Sequence, residues 1–281
     1  MNVLVTGVTA GGLGASIAIK LAKSGKYNVF GSLRNLSKSQ AFLDQLTAET
    51  SNTVTLVELD VTSDHSCKQV IEKIGKVDIL INNAGQGLVQ TIEGTDMDKV
   101  IDCFQVNYFG VYRLIKTVLP SMRQNKFGRI INIASVGGLV GQPFNEGYCS
   151  AKAALDSLTE SMNSTLRTFN IRTTSFCPGW ISTNFVSNAS GVDNGTIPGM
   201  PQEYKEMFDK YRARTKNLAS NPEMAAFRQT ADQCAQDVVD IVEQDLPKAR
   251  VYTKTVAPLV EVKFGDSSAE KVIETLRAMF K

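Results

Sequence analysis

Short apolar runs alternate with longer stretches of helical periodicity along the whole chain. The runs are NVLVTG, YNVFGSL, TVTLVELDVT, VDILINNAG, GRIINIAS, IRTTSFCPG and ARVYT, each rich in β-branched residues. Between them lie segments that predict helices: one after a glycine turn and ending at Gly25, one from Ser37 to about Glu49, and one from Met97 to Asn125 with Pro120 near its end. Others run from about Glu146, from Ala231 to Glu243, and from Ser267 to close the chain. Strands that alternate with helices imply a parallel sheet covered on both faces. The expected fold class is therefore α/β: a single Rossmann-type domain over residues 1–281, with a doubly wound parallel sheet of about seven strands. No linker or internal repeat divides the chain.

One region breaks this texture. From Ser187 to Asn221 the chain is rich in Gly, Asn, Ser and Pro and then turns charged. Within EYKEMFDKYRARTK, Tyr204, Met207, Phe208 and Tyr211 fall at i, i+3, i+4 and i+7, one apolar stripe on a helix. Three readings stay open for the segment at about 187–230: a helix that packs on the body of the domain, a substrate lid, or a surface that docks on lipid through Lys205, Lys210, Arg212 and Arg214.

The chemistry concentrates in SVGGLVGQPFNEGYCSAK, Ser135 to Lys152. Tyr148 and Lys152 are four residues apart on a predicted helix, so both side chains leave one face. Ser135, at a strand end, can fold back beside them. A free tyrosine has a pKa of about 10, and an adjacent cation typically lowers an acid by about 1–3 units. Lys152 is placed to do that, and Ser135 can donate to a carbonyl or alkoxide oxygen. The same tyrosine and lysine taken alone would be an ordinary helix pair.

At the other end of the chain, a strand, a glycine turn and a helix follow in order. Gly7, Gly12 and Gly14, with Gly11 as an extra, would let backbone approach a pyrophosphate at a helix N-terminus. The second strand ends in Gly31, Ser32, Leu33 and Arg34 rather than an acidic residue. A guanidinium suits a 2′-phosphate, so Arg34 points to NADP(H) over NAD. Asp60 either accepts from the adenine amino group or caps the next helix with Thr62. Asn82, Asn83, Ala84 and Gly85 end a strand where a cofactor crevice would lie, and Trp180 and Thr183 are placed to close over a nicotinamide. Asn107 sits in an apolar helical neighbourhood that calls for a specific partner.

Composition narrows the field. Apolar residues are 43%, charged residues 21% and the net charge is +2, an ordinary globular balance with no electrostatic case for nucleic acid. No apolar run is long enough to span a membrane, and the start of the chain lacks signal-peptide features, so a cytoplasmic location is expected. The five cysteines are scattered and never in CxxC spacing, and there is one histidine, His65. That argues for a reducing compartment, no metal and no Ser–His–Asp triad.

Together, TGVTAGGLG, NNAG at Asn82–Gly85, Asn107, Ser135, Tyr148 with Lys152, and CPG at Cys177–Gly179 resemble the short-chain dehydrogenase/reductase family over essentially the whole chain. SLRNL, the Ser135–Met162 stretch and the tail ARVYTKTVAPLVEVKFGDSS look most like its hydroxysteroid and retinol dehydrogenases. The resemblance implies an NADP(H)-dependent oxidoreductase that interconverts a secondary alcohol and a ketone, or a retinoid-type aldehyde, on an apolar steroid, retinoid or lipid. It makes Asn107, Ser135, Tyr148 and Lys152 the catalytic set. Gly7, Thr9, Gly12, Leu13, Gly14, Arg34, Asp60, Asn83, Ala84, Gly85, Tyr148, Lys152, Pro178, Gly179 and Thr183 would hold the cofactor. Val136, Gln142, Asn145 and Trp180 would touch substrate.

Three departures qualify it: the glycine motif is one residue longer than usual, as in 1-acyldihydroxyacetone-phosphate reductases; Gln142 replaces an apolar wall residue; and the steroid-orienting histidine has no counterpart. A ketone reductase of that lipid type, or a non-catalytic dinucleotide sensor on the same fold, is the alternative. A homodimer or homotetramer is expected from the family, through the helices that carry Asn107 and Tyr148.

Overall fold

The computed structural model describes residues 1–183, 185, 189–190, 197–220, 228–265, 268 and 270–278, except the side chains of 214–220, 272, 274, 276 and 277. Parts of the 187–230 segment, the Arg214 side chain and Ser267 lie outside the described residues.

Seven strands form one parallel sheet: β1 (Asn2–Thr6), β2 (Asn28–Leu33), β3 (Thr55–Glu58), β4 (Ile79–Asn82), β5 (Gly128–Ile133), β6 (Ile171–Cys177) and β9 (Arg250–Tyr252). Their spatial order is β3-β2-β1-β4-β5-β6-β9, so the winding reverses between β1 and β4, where open α/β sheets take ligands. A second, two-stranded sheet pairs β7 (Trp180–Ser182) with β8 (Arg228–Thr230); the sequence pattern did not announce it, because three-residue strands leave too short an alternation to read.

The apolar runs are continuous because both faces of the sheet are covered. Val3, Val5, Ile79, Ile81, Ile131 and Ile133 face one core with α1 (Leu13–Lys23) and α9 (Ala231–Glu243). The alternate residues Leu4, Leu80 and Ile130 face the other core, with α3 (Asp64–Ile74), α5 (Gly110–Gln124) and α7 (Glu146–Leu166). Each such side chain removed from water contributes about 1.5–3 kcal/mol. The remaining helices are α2 (Gln40–Glu49), α4 (Met97–Phe104), α6 (Val136–Leu139), α8 (Gln202–Ser220), α10 (Ala257–Gly265) and α11 (Glu270–Arg277). No helix among the described residues is long and apolar enough to cross a membrane.

Four boundaries differ from expectation. The helix expected from Met97 to Asn125 is interrupted at Gln105–Phe109 by a wider π turn centred on Asn107, a feature periodicity barely registers. The helix expected from Ser37 begins as a 3-10 turn at Leu36–Lys38, and α2 starts at Gln40. The third strand stops at Glu58, which leaves Asp60 in a loop. The chain closes with two helices, the first of them, α10, well before Ser267.

Candidate active site

The glycine turn after β1 is a close-packed cradle. Gly7 has φ +75°, a left-handed conformation that glycine takes without strain. A Cβ on Gly14 would run into the Asn83 amide and lie 2.5 Å from the Gly7 carbonyl oxygen. The Asn83 side chain donates to the Thr6 and Gly7 carbonyls at 2.8 and 3.1 Å. Thr6 Oγ1 accepts from the backbone N–H of Asn83 and of Ala84, each at 2.9 Å. The end of β4 is thereby pinned to the end of β1. Gly12 caps α1 with no side-chain hydrogen bond, so the first-turn N–H groups are left for an anion. Thr9 accepts from Gly12 N at 2.9 Å, and the partly lengthened turn is held by Gln45, whose Oε1 accepts from Gly11 N at 2.9 Å.

Arg34 follows β2, exposed, and among the described residues it has no hydrogen bond or ion pair. Asp60 is occupied locally: its Oδ1 accepts from the Thr62 N–H at 2.9 Å and hydroxyl at 2.7 Å. These residues fit a dinucleotide. The Gly-lined turn can admit a pyrophosphate that a Cβ would exclude, and an uncompensated guanidinium stands at the next strand end.

The second half of the site is built on β5, α6 and α7. Ser135 ends β5's connection and caps α6, its Oγ accepting from Gly137 N at 3.0 Å. Lys152 is buried and its Nζ donates to the Ile133 carbonyl at 2.8 Å. That nitrogen lies 5.8 Å from the centroid of the Tyr148 ring. Asn107, wholly buried, exchanges bonds with Gln86: Nδ2 donates to its carbonyl at 2.7 Å and Oδ1 accepts from its N–H at 3.2 Å. The Asn107 carboxamide leaves little space over Gly85, whose added Cβ would lie 3.0 Å from Oδ1 and 3.6 Å from Lys152 Nζ. Tyr148, Lys152, Ser135, Asn107 and Gly85 therefore converge. The Ile133 carbonyl and Gln86 backbone were not legible in sequence, because any residue type supplies them.

Electrostatics reverse one expectation. The Tyr148 phenol is pushed well up from its ordinary value, because burial outweighs the hydrogen bond with Ser135 that lowers it. Burial likewise lowers the Lys152 ammonium to about 8. Two charges that would both be poorly solvated are each disfavoured, and the Lys152 donor is turned to a main-chain carbonyl.

Around Tyr148 the walls are apolar. The Phe185 ring lies 5.8 Å from the tyrosine ring, centroid to centroid; an aromatic six residues past CPG was the signal for it. Tyr204, Phe208 and Tyr211 of α8 pack with Phe144, Ile197 and Met200, while Met207, expected on the same stripe, is exposed. Gln142 and Asn145 flank this loop; Asn145 Nδ2 donates to the Pro143 carbonyl at 3.2 Å. Trp180 is half exposed on β7, and Thr183 Oγ1 accepts from Phe185 N at 3.3 Å. Val136, expected to touch substrate, is buried in the core with Leu139 and Val256, its N–H donated to the Pro178 carbonyl at 2.9 Å. A residue that opens α6 turns its side chain under the loop rather than out of it. Gly179 N donates to Thr253 Oγ1 at 3.2 Å. Cys149 is buried and its thiol is pushed up to about 11, which keeps it protonated.

A family model for short chain dehydrogenase matches residues 1–192. The chain belongs to the short-chain dehydrogenase family. It is 33% identical to retinol dehydrogenase 8 from Homo sapiens, over 100% of this chain and 90% of that protein. It is 29% identical to 17-beta-hydroxysteroid dehydrogenase type 1 from Homo sapiens, over 98% of this chain and 84% of that protein. Among solved structures, the actinorhodin polyketide ketoreductase with NADPH superposes with a TM-score of 0.75 at 25% identity, covering 91% of this chain and 96% of that one. This short-chain dehydrogenase is thus an oxidoreductase related to retinol and hydroxysteroid dehydrogenases, in a family that uses a nicotinamide dinucleotide.

Proposed function

We propose that the protein is an NADP(H)-dependent oxidoreductase that interconverts an alcohol and a ketone or retinoid-type aldehyde on an apolar molecule, and that acts as a reductase when NADPH is supplied. The observation that carries this is geometric: the Tyr148 phenol, hydrogen-bonded with Ser135, stands beside Lys152 and against the Phe185 ring. Such a phenol can give a proton to the substrate oxygen in reduction and take it back in oxidation.

Gly7, Gly12, Leu13, Gly14, Ala84 and Gly85 form the backbone cradle for the pyrophosphate and nicotinamide ribose, with Pro178, Gly179 and Thr183 closing the nicotinamide end. Arg34, exposed at the end of β2, supplies the charge that selects a 2′-phosphate. Asn83 acts on the cradle from behind, through Thr6 and Gly7. When bound, the reduced nicotinamide supplies a hydride to the carbonyl carbon. Ser135 donates to the substrate oxygen, and Tyr148 gives that oxygen its proton as negative charge develops there. Lys152 stabilises the phenolate that remains, and Asn107 holds the Gln86 backbone and with it the floor below Lys152. Phe185, Phe144 and α8 form an apolar wall that keeps water from the reacting carbonyl.

The test is NADPH oxidation measured against a panel of steroids, retinals, acyl-dihydroxyacetone phosphate and small ketones. Turnover of at least one apolar carbonyl, with weaker use of NADH, is expected. Nucleotide binding without turnover across the panel would leave a binding protein instead.

A further inference from the structure

The loop between α6 and α7 holds a backbone anomaly. Phe144 has φ +62°, a conformation that bulky side chains rarely adopt. Among the described residues the other two non-glycine positions with positive φ are Lys126 and Asn170, both exposed. Phe144 instead is 5% exposed. Its ring meets Phe208 edge-on, centroids 5.0 Å apart and planes at 79°, and lies 5.7 Å from Tyr211. Ile197, Met200 and Val89 complete a small cluster separate from both sheet cores.

The backbone of Phe144 is tied on both sides. Its carbonyl accepts from Gln90 N at 3.0 Å, and the Gln90 side chain donates to the Pro198 carbonyl at 3.0 Å. Its N–H donates to Glu146 Oε1 at 3.3 Å, and Glu146 opens α7 two residues before Tyr148. Glycine would take the same backbone without strain. What phenylalanine adds is a ring aimed into the 197–211 segment. The geometry has one strained residue joining the start of the helix that carries Tyr148 to the 197–211 segment.

We propose that Phe144 is a positioning residue that locks the 197–211 segment to the start of α7, so that the seating of that segment over substrate and the placement of the Tyr148 phenol are one equilibrium. In its catalytic part this rests on the reductase reading above. The coupling does not reach the nucleotide cradle, which is built on β1, β2 and β4.

The test pairs Phe144→Gly, which removes the ring and relaxes the backbone, with Phe208→Ala, which removes the contact from the α8 side. Each is expected to raise KM for an apolar carbonyl by about tenfold, with a smaller fall in kcat, and to leave the affinity for NADPH, read by fluorescence, within roughly twofold. The double variant should be no worse than the worse single one, as for two halves of one contact. Hydrogen exchange reads the coupling without any turnover. Phe208→Ala should speed exchange at the Cys149 amide, which donates to the Asn145 carbonyl at 2.8 Å; Phe144→Gly should speed exchange along residues 204–211. Additive KM effects, unchanged exchange in both variants, or lost NADPH binding in Phe144→Gly each overturn the proposal. If the native protein reduces no carbonyl while the exchange coupling is present, the reductase reading fails and the lock stands.

Discussion

The two halves of the cleft are made by different means. The proposed nucleotide side is backbone: glycine positions, a helix end without a side-chain cap, and an asparagine that pins one strand end to the next. The proposed substrate side is side chain on side chain: Phe185 lies against Tyr148, and Phe144 packs with Phe208 and Tyr211 from another stretch. A backbone cradle accepts one molecular shape and tolerates almost no added atom. An aromatic wall accepts many apolar shapes and can repack, so on the function proposed above the first half would select the cofactor class and the second would be free to vary in substrate.

Mutations that separate the halves test this contrast. Tyr148→Phe should lower kcat by about 10²-fold or more while NADPH affinity stays unchanged; equal activity in the variant removes the phenol from the mechanism. Arg34→Ala should do the reverse. The loss of charge-assisted hydrogen bonds, each worth about 1.5–3 kcal/mol, weakens NADPH by roughly 10–100-fold. It leaves NADH binding and kcat at saturation nearly as they were, and a matching loss for both nucleotides would place the 2′-phosphate elsewhere.

Within the cradle, two glycines offer a finer comparison. Gly14→Ala forces a Cβ against Gly7 O and the Asn83 amide, which should destabilise the fold by about 1–3 kcal/mol and impair nucleotide binding. At Gly11 a Cβ meets nothing within 4 Å, so Gly11→Ala meets only the strain of its φ of +69°, about 1 kcal/mol. Thermal melts with and without NADPH rank them, and an equal loss at both would deny the cradle its tight packing.

The smallest stability effects lie in pH, and activity follows a separate profile. The phenol, raised by burial, stays protonated through the neutral range, whereas the Lys152 ammonium is lost through about pH 8. The kcat/KM for reduction should be level below that pH and fall by up to about tenfold per unit above it; a level profile to pH 10 would exclude Lys152 charge from the step. Stability carries the opposite sign. The folded pKa lies below the unfolded one, near 10.4, so the folded state binds fewer protons between about 8 and 10.4. The buried ammonium therefore destabilises the fold below pH 8, and this penalty is relieved as pH rises. Lys152→Met should be inactive yet more stable at pH 7 by about 1–2 kcal/mol, with the gain shrinking towards pH 10. A variant less stable than the native protein at pH 7 would show that the bond to Ile133 O outweighs desolvation.

Much of this was legible along the chain, for a physical reason. Strand burial on two faces writes itself as unbroken apolar runs, helix turns as a period of 3.6, and a close backbone approach as glycine, so the sheet, the cradle and the Tyr148–Lys152 spacing are local properties. The π turn at Asn107, the sign of the Tyr148 shift and the seating of Phe144 are not. Each depends on which residues distant in sequence surround a group, since desolvation, main-chain carbonyls such as that of Ile133, and a ring aimed across a cleft exist only after the chain has closed on itself.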